Sequence, residues 1–200
     1  MTLVRLVRHG RAAAGWDTAL DPGLDEVGRA QAASVAERLD GSREVHDVHD
    51  VPDADGLPQI VSSPMRRCRE TAAAFAARRG SEVRIADAVA EIPSPEGHAM
   101  ADRVTWLRGA MEGEWSALGD RYTTYRDGVV AFVASLTVPT VVFSHFVAIN
   151  AVIGRCLGDD RLVIRRLDNC SVTTVRVDLQ DGAPVLRLVA GGDEADTLIR

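Results

Sequence analysis

The sequence lacks lysine altogether, so arginine supplies all 23 positive charges of its 200 residues. Without lysine, Schiff-base and pyridoxal chemistry and a Walker-type phosphate loop are excluded. Cysteine is scarce: Cys68, Cys156 and Cys170 lie far apart and form no CxxC pair, which indicates reduced thiols and a cytoplasmic location. The net charge of −6 argues against a general nucleic-acid binder, but an arginine pocket for a small anion stays compatible with it.

Long hydrophobic runs that would mark a membrane protein are also missing. Arg5 and Arg8 interrupt the apolar start of the chain, so we do not expect a signal peptide there. The uncharged segment 128–154 is long enough to span a bilayer, but Pro139 interrupts it, and Ser144, His145 and Asn150 lie in its second half. We interpret it as the end of a helix, a buried strand and the start of another helix. With 46% hydrophobic and 26% charged residues, the composition predicts one globular domain over residues 1–200.

Short apolar runs alternate with segments of helical periodicity along most of the chain. Strands are predicted near residues 3–7, 58–62, 83–85, 140–143, 172–178 and 185–189, and helices near 26–39, 121–136 and 146–157. A further helix is predicted after the second strand, with Ser63 as its N-cap and Pro64 at its first position. This order predicts a three-layer α/β/α sandwich with a mostly parallel sheet, one antiparallel edge strand, and a helical insertion at about 98–119 over the site.

Polar side chains that suit an anion follow three of the predicted strands. Arg8-His9-Gly10 follows the first strand, Ser62-Ser63 and three nearby arginines follow the second, and Ser144-His145 follows the fourth. Because ligands of open α/β sheets bind beyond the carboxyl ends of the strands, we expect these groups to share one rim. Arginine binds phosphate through its planar fork, and a neutral imidazole nitrogen can attack phosphorus.

Five blocks of the sequence carry a family resemblance. They are the Arg-His-Gly string in 6–10, SSPMRRCRETA at 62–72, VVFSH at 141–145, LDEVGRAQA at 24–32 and DNCSVT at 168–173. In their order and spacing along the chain, from residue 3 to about 178, these blocks resemble the histidine phosphatase superfamily, also called phosphoglycerate mutase-like. One Arg-His-Gly string would be a weak signal, but five blocks in register are a strong one. The resemblance implies a phosphate-handling enzyme that needs no metal and no other cofactor.

The resemblance also implies roles for single residues. His9 would be the nucleophile that becomes phosphohistidine, while Arg8, Arg67 and His145 would hold the phosphoryl oxygens. Periodicity cannot choose between Arg66 and Arg67, because both lie off the apolar stripe of their helix. The family block places the phosphate arginine three residues after the proline, at Arg67. Which ring nitrogen of His9 attacks stays open.

A carboxylic acid is needed to protonate the leaving oxygen. In many members of the family a glutamate after the third strand has this role, and Glu91 stands at that position here, with Glu96 as the alternative. The segment between them lacks the usual Gly-x-Trp of the family pattern. Phe146 replaces a common glycine after the second histidine, and we expect its ring near the substrate. Arg11 begins a stretch that lacks the side chains with which sugar-phosphate mutases hold phosphoglycerate, and it could bind an additional anionic group or face solvent.

These observations predict a phosphatase that hydrolyses a phosphomonoester, with a small phosphorylated metabolite as its partner. A phosphomutase, a phosphohistidine or phosphoserine protein phosphatase, and a non-catalytic phosphate-binding protein are the alternatives. The oligomeric state is open, a homodimer through the sheet edge being one option. His46 and His49 have spacing that could ligate a metal, although a solvated loop explains them better. His98 follows the segment that contains Glu91 and Glu96, here called the acid segment, and could line the pocket.

Overall fold

The computed structural model describes residues 1–15, 17–41 and 57–194, and His46 and His49 lie outside these ranges. Within them the strands are β1 (Thr2–Arg8), β2 (Gln59–Ser62), β3 (Val83–Ile85), β4 (Thr140–Ser144), β5 (Val172–Gln180) and β6 (Ala183–Ala190). The α-helices are α1 (Glu26–Gly41), α2 (Arg66–Arg79), α3 (Arg103–Met111), α4 (Asp120–Ala134) and α5 (Phe146–Leu157). Short 3₁₀ helices cover Asp87–Val89, Met100–Asp102 and Trp115–Ala117.

One mixed sheet forms the centre of the molecule, with strand order β3-β2-β4-β1-β5-β6. β3, β2, β4 and β1 run parallel to their neighbours, whereas β5 is antiparallel to both β1 and β6. The predicted α/β fold with a mostly parallel sheet is therefore confirmed. The antiparallel pairing lies at one edge as expected, with β5 next to that edge and β6 outermost.

Alternating strand residues supply two hydrophobic clusters, one on each face of the sheet. Val7, Ile60 and Phe143 belong to a cluster with apolar residues of α1 and α2. Leu6 and Val61, each adjacent in sequence to one of these, belong to a larger cluster with α4 and α5. The larger cluster also includes Leu107, Ala110 and Trp115 of the predicted insertion, which is helical as expected.

The uncharged segment 128–154 is divided as the sequence predicts, into the end of α4, the buried strand β4 and most of α5. No helix in the described part of the chain is long and apolar enough to cross a membrane. The hairpin between β5 and β6 turns at Asp181 and Gly182, both with positive φ, which is the backbone of a type I′ turn.

The predicted start of α2 is wrong. The helix begins at Arg66, its N-cap position is Met65 in extended backbone, and no side chain of that residue caps it. The amide of Arg66 donates instead to Asp21 Oδ1 at 2.7 Å, so a residue 45 positions earlier supplies the cap. Ser63 is thereby released from the capping role, and its hydroxyl lies 2.7 Å from the ring of His145.

Candidate active site

The carboxyl ends of three neighbouring parallel strands bring the candidate residues together. β1 and β4 pair Arg8 with Ser144, so His9 and His145 follow their strands side by side, with ring centroids 5.2 Å apart. β2 lies on the other side of β4, and α2, which follows β2, carries Arg67 in its first turn. All of these side chains are buried, so the protein shields their charges from bulk water.

The ring of His9 is oriented by its immediate neighbour. His9 Nδ1 lies 2.8 Å from the carbonyl oxygen of Gly10, which can only accept, so Nδ1 carries the proton of the neutral ring. The lone pair is therefore on Nε2, which accepts a hydrogen bond from Arg67 Nε at 3.1 Å. Burial, followed by the charges of Arg67, His145 and Arg8, lowers the pKa of His9 well below its ordinary value. His9 is thus a neutral ring with an accessible electron pair on Nε2, the nitrogen that the sequence could not select.

Arg67 connects the other groups of the site. Its NH2 lies 3.1 Å from His145 Nδ1 and 3.5 Å from Glu91 Oε2. Arg66 behaves differently, because its side chain is exposed and pairs with Glu70 at 2.7 Å. Of the two arginines between which helical periodicity could not choose, Arg67 is the one that the structure places beside His9.

Glu91 is the carboxylate of this cluster. Glu91 Oε2 lies 3.3 Å from His145 Nδ1, and Glu91 Oε1 accepts the amide of Ile92 at 3.1 Å. Burial acts to raise the pKa of Glu91, but His145 and Arg67 outweigh it and lower that pKa to about 2. Glu96, the alternative proton donor, is exposed and pairs with Arg121 at 2.9 Å.

Neighbouring elements hold the Glu91 segment in place from two sides. Tyr125 of α4 donates its hydroxyl proton to the carbonyl of Ala90 at 3.0 Å, and Trp115 stacks near Tyr125 with centroids 6.0 Å apart. Ser144 at the end of β4 donates to the carbonyl of Val89 at 2.8 Å. Trp115 of the insertion therefore packs on Tyr125 of α4, which in turn holds the segment around Glu91.

Arg8 is buried beside the two histidines. It donates from NH1 to the carbonyl of Leu167 at 2.6 Å, and its guanidinium lies 5.2 Å from the ring centre of Phe146. Among the described residues its Nε has no hydrogen-bond acceptor. Burial lowers the pKa of Arg8, an effect that the charge of Glu91 partly offsets. Phe146 is itself buried, so its ring serves as a cation–π partner that positions Arg8.

Two other residues singled out in the sequence are placed elsewhere. Arg11 pairs through Nε with Asp25 at 2.5 Å, and its half-exposed guanidinium is not part of the His9 cluster. His98 is exposed, and its Nδ1 lies 3.0 Å from the carbonyl of Glu96. Neither residue contacts the paired histidines in the structure.

Three residues support the site in ways that the sequence did not indicate: Thr71 and Asn169 were given no role of their own, and Ser63 was expected to cap α2. Thr71 accepts the amide of Gly10 at 3.1 Å and donates to the carbonyl of Arg67 at 2.7 Å, so it joins the His9 loop to α2. Asn169 donates to the carbonyl of His9 at 2.9 Å. Ser63 contacts His145. The sequence sign that could have revealed them is a polar side chain at a position where the neighbouring pattern predicts a buried residue.

The charge of the cluster decides which ligand it suits. His9, Glu91 and His145 each offer a possible metal-ligating atom, and these atoms lie within 4.8 Å of one another. However, the Arg67 guanidinium lies within 3.5 Å of all three, and Arg8 adds a second buried positive charge. Two buried guanidinium groups repel a cation and attract an oxyanion. The arrangement favours a small oxyanion beside a nucleophilic imidazole.

The fold and the site define an α/β protein that presents paired histidines and arginines at the carboxyl edge of its sheet. The chain belongs to the histidine phosphatase superfamily, branch 1, whose family model matches residues 4–190. The resemblance seen in the five sequence blocks is thereby confirmed.

Solved structures show the same fold. A mycobacterial glucosyl-3-phosphoglycerate phosphatase complexed with VO3 is 22% identical, with a TM-score of 0.68 over 94% of this chain and 98% of its own. A phosphoserine phosphatase from Entamoeba histolytica is 22% identical, with a TM-score of 0.67 over 98% of both chains. YhfR from Bacillus stearothermophilus is 19% identical, with a TM-score of 0.70 over 98% of both chains. No curated protein matches the sequence.

Proposed function

We propose that the protein is a phosphatase that hydrolyses a phosphomonoester through a phosphohistidine at Nε2 of His9. The observation that carries this proposal is the unprotonated Nε2 of a buried neutral imidazole, 3.1 Å from Arg67 Nε and beside His145. A neutral nitrogen nucleophile, guanidinium donors and a carboxyl group are what transfer of a phosphoryl group to histidine requires.

In the first step, His9 Nε2 forms a bond to phosphorus as the bond from phosphorus to the alcohol oxygen breaks. Arg67 turns its donors from His9 Nε2 to the phosphoryl oxygens, and Arg8 and His145 donate to the same group. Glu91 delivers a proton to the departing oxygen, so the alcohol leaves uncharged. When no substrate is bound, Glu91 is ionised at neutral pH. A bound phosphate dianion raises the pKa of Glu91 because like charges repel. A proton taken up with the substrate thus loads the acid.

In the second step, water attacks the phosphorus of phosphohistidine, and the bond to His9 Nε2 breaks. Glu91, now a carboxylate, accepts a proton from the water as it attacks. The products are inorganic phosphate and the neutral ring of His9, which restores the starting state. We propose that this cycle needs no metal, because Arg8 and Arg67 supply the positive charge that magnesium supplies in kinases. Addition of a chelator should leave the rate unchanged.

Residues 11–14 favour hydrolysis over the phosphomutase reaction. Arg11 is engaged by Asp25, and the three alanines that follow it have no polar side-chain atoms to retain a phosphorylated intermediate. The substrate class that we propose is a small phosphorylated metabolite, as the names of two structural neighbours indicate for those proteins. Three unpaired cysteines are consistent with the cytoplasm as its location.

The first test is hydrolysis of p-nitrophenyl phosphate and of a panel of phosphorylated metabolites, with phosphate release as the readout. His9→Ala should reduce kcat by more than about 10³-fold, because it removes the nucleophile. His98→Ala is the matched control, since this exposed imidazole should leave kcat unchanged. An isomerised sugar phosphate as the product would favour the mutase. Activity that survives in His9→Ala would remove His9 from its role.

A further inference from the structure

Ser63 holds the side of the His145 ring that faces away from the phosphoryl site. Its hydroxyl lies 2.7 Å from His145 Nε2, whereas Arg67 and Glu91 meet the opposite nitrogen, Nδ1. Both Ser63 and His145 are fully buried, so bulk water does not compete for this hydrogen bond. Ser63 therefore contacts the ring at the nitrogen opposite the one that Arg67 and Glu91 meet.

The direction of the hydrogen bond follows from the other partners of Ser63. Its oxygen accepts the amide of Met65 at 3.3 Å, which leaves one hydroxyl proton to donate. That proton faces His145 Nε2 and the sulfur of Cys68, and an imidazole nitrogen is much the better acceptor. Cys68 directs its own proton to the carbonyl of Ser144 at 3.4 Å. Ser63 therefore donates to Nε2, and the proton of the neutral His145 ring lies on Nδ1.

We infer that Ser63 is a positioning residue that fixes the uncharged His145 as its Nδ1–H tautomer, so that the ring donates a hydrogen bond toward the phosphoryl group without being charged. The consequence for catalysis rests on the proposed function, whereas the tautomer itself does not. Without the serine hydroxyl, the proton can move to Nε2, and Nδ1 then presents a lone pair to the phosphoryl oxygens. Such a lone pair repels the charge that develops in the transition state.

The surroundings of His145 make this tautomer matter at neutral pH. Burial lowers the pKa of His145, and the opposing effect of Glu91 does not restore it. The titratable or charged groups around the ring come from the end of β1, from α2 and from the acid segment: Arg8, His9, Arg67, Cys68 and Glu91. At Nδ1 the two neighbours oppose each other: the Arg67 guanidinium, 3.1 Å away, can only donate, whereas the Glu91 carboxylate, 3.3 Å away, accepts a proton. The hydroxyl of Ser63, which donates to Nε2, therefore decides the balance in favour of a proton on Nδ1.

The direct test is nitrogen NMR of the histidine side chains in the whole protein, with no substrate present. His145 should show a protonated Nδ1 and an unprotonated Nε2, and Ser63→Ala should abolish that pattern. Cys68→Ala is the matched control, because it removes the other neighbour of Nε2 and keeps the serine, so the pattern should persist. A protonated Nε2 in the unaltered protein, or a Ser63→Ala spectrum unchanged from it, would overturn the inference whether or not the protein is a phosphatase.

A kinetic test then addresses the role of the tautomer. Ser63→Ala should lower kcat by about 10²-fold above the pKa of His145, as expected for loss of one donor to the transition state. The deficit should shrink on acidification, because a doubly protonated ring donates from Nδ1 whatever its partner on Nε2. Ser63→Thr, which keeps the hydroxyl, should recover much of the rate. A loss that is equal at every pH would show a merely structural role and would contradict the inference.

Discussion

At the scale of single residues, burial favours the neutral form of both the basic and the acidic groups of the site, so it lowers the pKa of His9 and acts to raise the pKa of Glu91. It keeps the His9 ring neutral, with the lone pair on Nε2, the nitrogen that the proposed mechanism uses for attack. It also opposes ionisation of Glu91, but the neighbouring His145 and Arg67 overcome this and hold the carboxyl ionised. In the proposed mechanism, the resting site holds an unprotonated Nε2 for attack on phosphorus, and Glu91 takes up its proton only when a bound anion reverses the local balance of charge.

Replacement of Glu91 tests this account of the acid. Glu91→Gln should lower kcat by about 10²- to 10⁴-fold for an alkyl phosphate, because the leaving alkoxide then receives no proton. The loss should be smaller for p-nitrophenyl phosphate, whose leaving group needs less help. Glu96→Gln, which alters an exposed carboxyl on the same loop, should have no effect with either substrate. Equal losses in the two variants would contradict the assignment of Glu91.

At the scale of elements, the end of β1 and the start of α1 approach so closely that only glycine fits. A Cβ atom on Gly28 would overlap the carbonyl oxygen of Arg11, and one on Gly10 would overlap the carbonyl of Gly28. Asp25 strengthens the contact by donating its amide to the carbonyl of Arg11 at 3.1 Å. Since Gly10 follows His9, the position of α1 helps to determine the orientation of the His9 ring, the proposed nucleophile.

Gly28→Ala should therefore affect both stability and activity. Overpacking at this contact should lower the free energy of unfolding by about 1–3 kcal/mol, and displacement of the His9 loop should lower kcat as well. The control is Gly109→Ala in α3, where a Cβ atom meets nothing within 4 Å and should leave stability equal or slightly higher. Urea unfolding and phosphatase assays measure both effects. A Gly28→Ala variant as stable and active as the unaltered protein would refute the close contact.

The elements also show which features could be predicted from the sequence. Apolar periodicity predicted the strands, and the rule that ligands bind at the carboxyl ends of strands predicted that His9 and His145 lie at one rim. The start of α2 could not be predicted, because its cap is Asp21, which lies far away in the sequence. The same holds for the pairing of Arg11 with Asp25 and the stacking of Arg8 on Phe146. Such features depend on tertiary partners, about which local patterns carry no information.

At the scale of the whole molecule, the site lies at the carboxyl ends of the central strands, and its buried ionisable groups affect the stability of the fold. Buried groups with shifted pKa values link folding to pH. The pKa of Glu91 falls from 4.5 to about 2, so its contribution is present above pH 4.5 and is lost as the pH falls through 2. His9 and His145 resist protonation when folded, whereas in the unfolded chain they take up protons below about 6.5. Both effects have the same sign, and acid destabilises the fold.

The free energy of unfolding should therefore decline steadily as the pH is lowered from 7 to 4. His9→Asn, which removes one buried imidazole, should flatten the decline just below pH 6.5, since one fewer group then binds protons on unfolding. Urea titrations at a series of pH values measure these slopes. Stability that rises on acidification would contradict the assignment of neutral buried histidines.

The most direct measurement of the central claim is the detection of the covalent intermediate. Active protein is mixed with a substrate labelled in its phosphoryl group and denatured within a turnover, and the label on the chain is then characterised. The account predicts a label at position 9 that is lost in acid and stable in base, absent from His9→Ala and retained in His98→Ala. An active preparation that carries no such label, or carries one that survives acid, would contradict it.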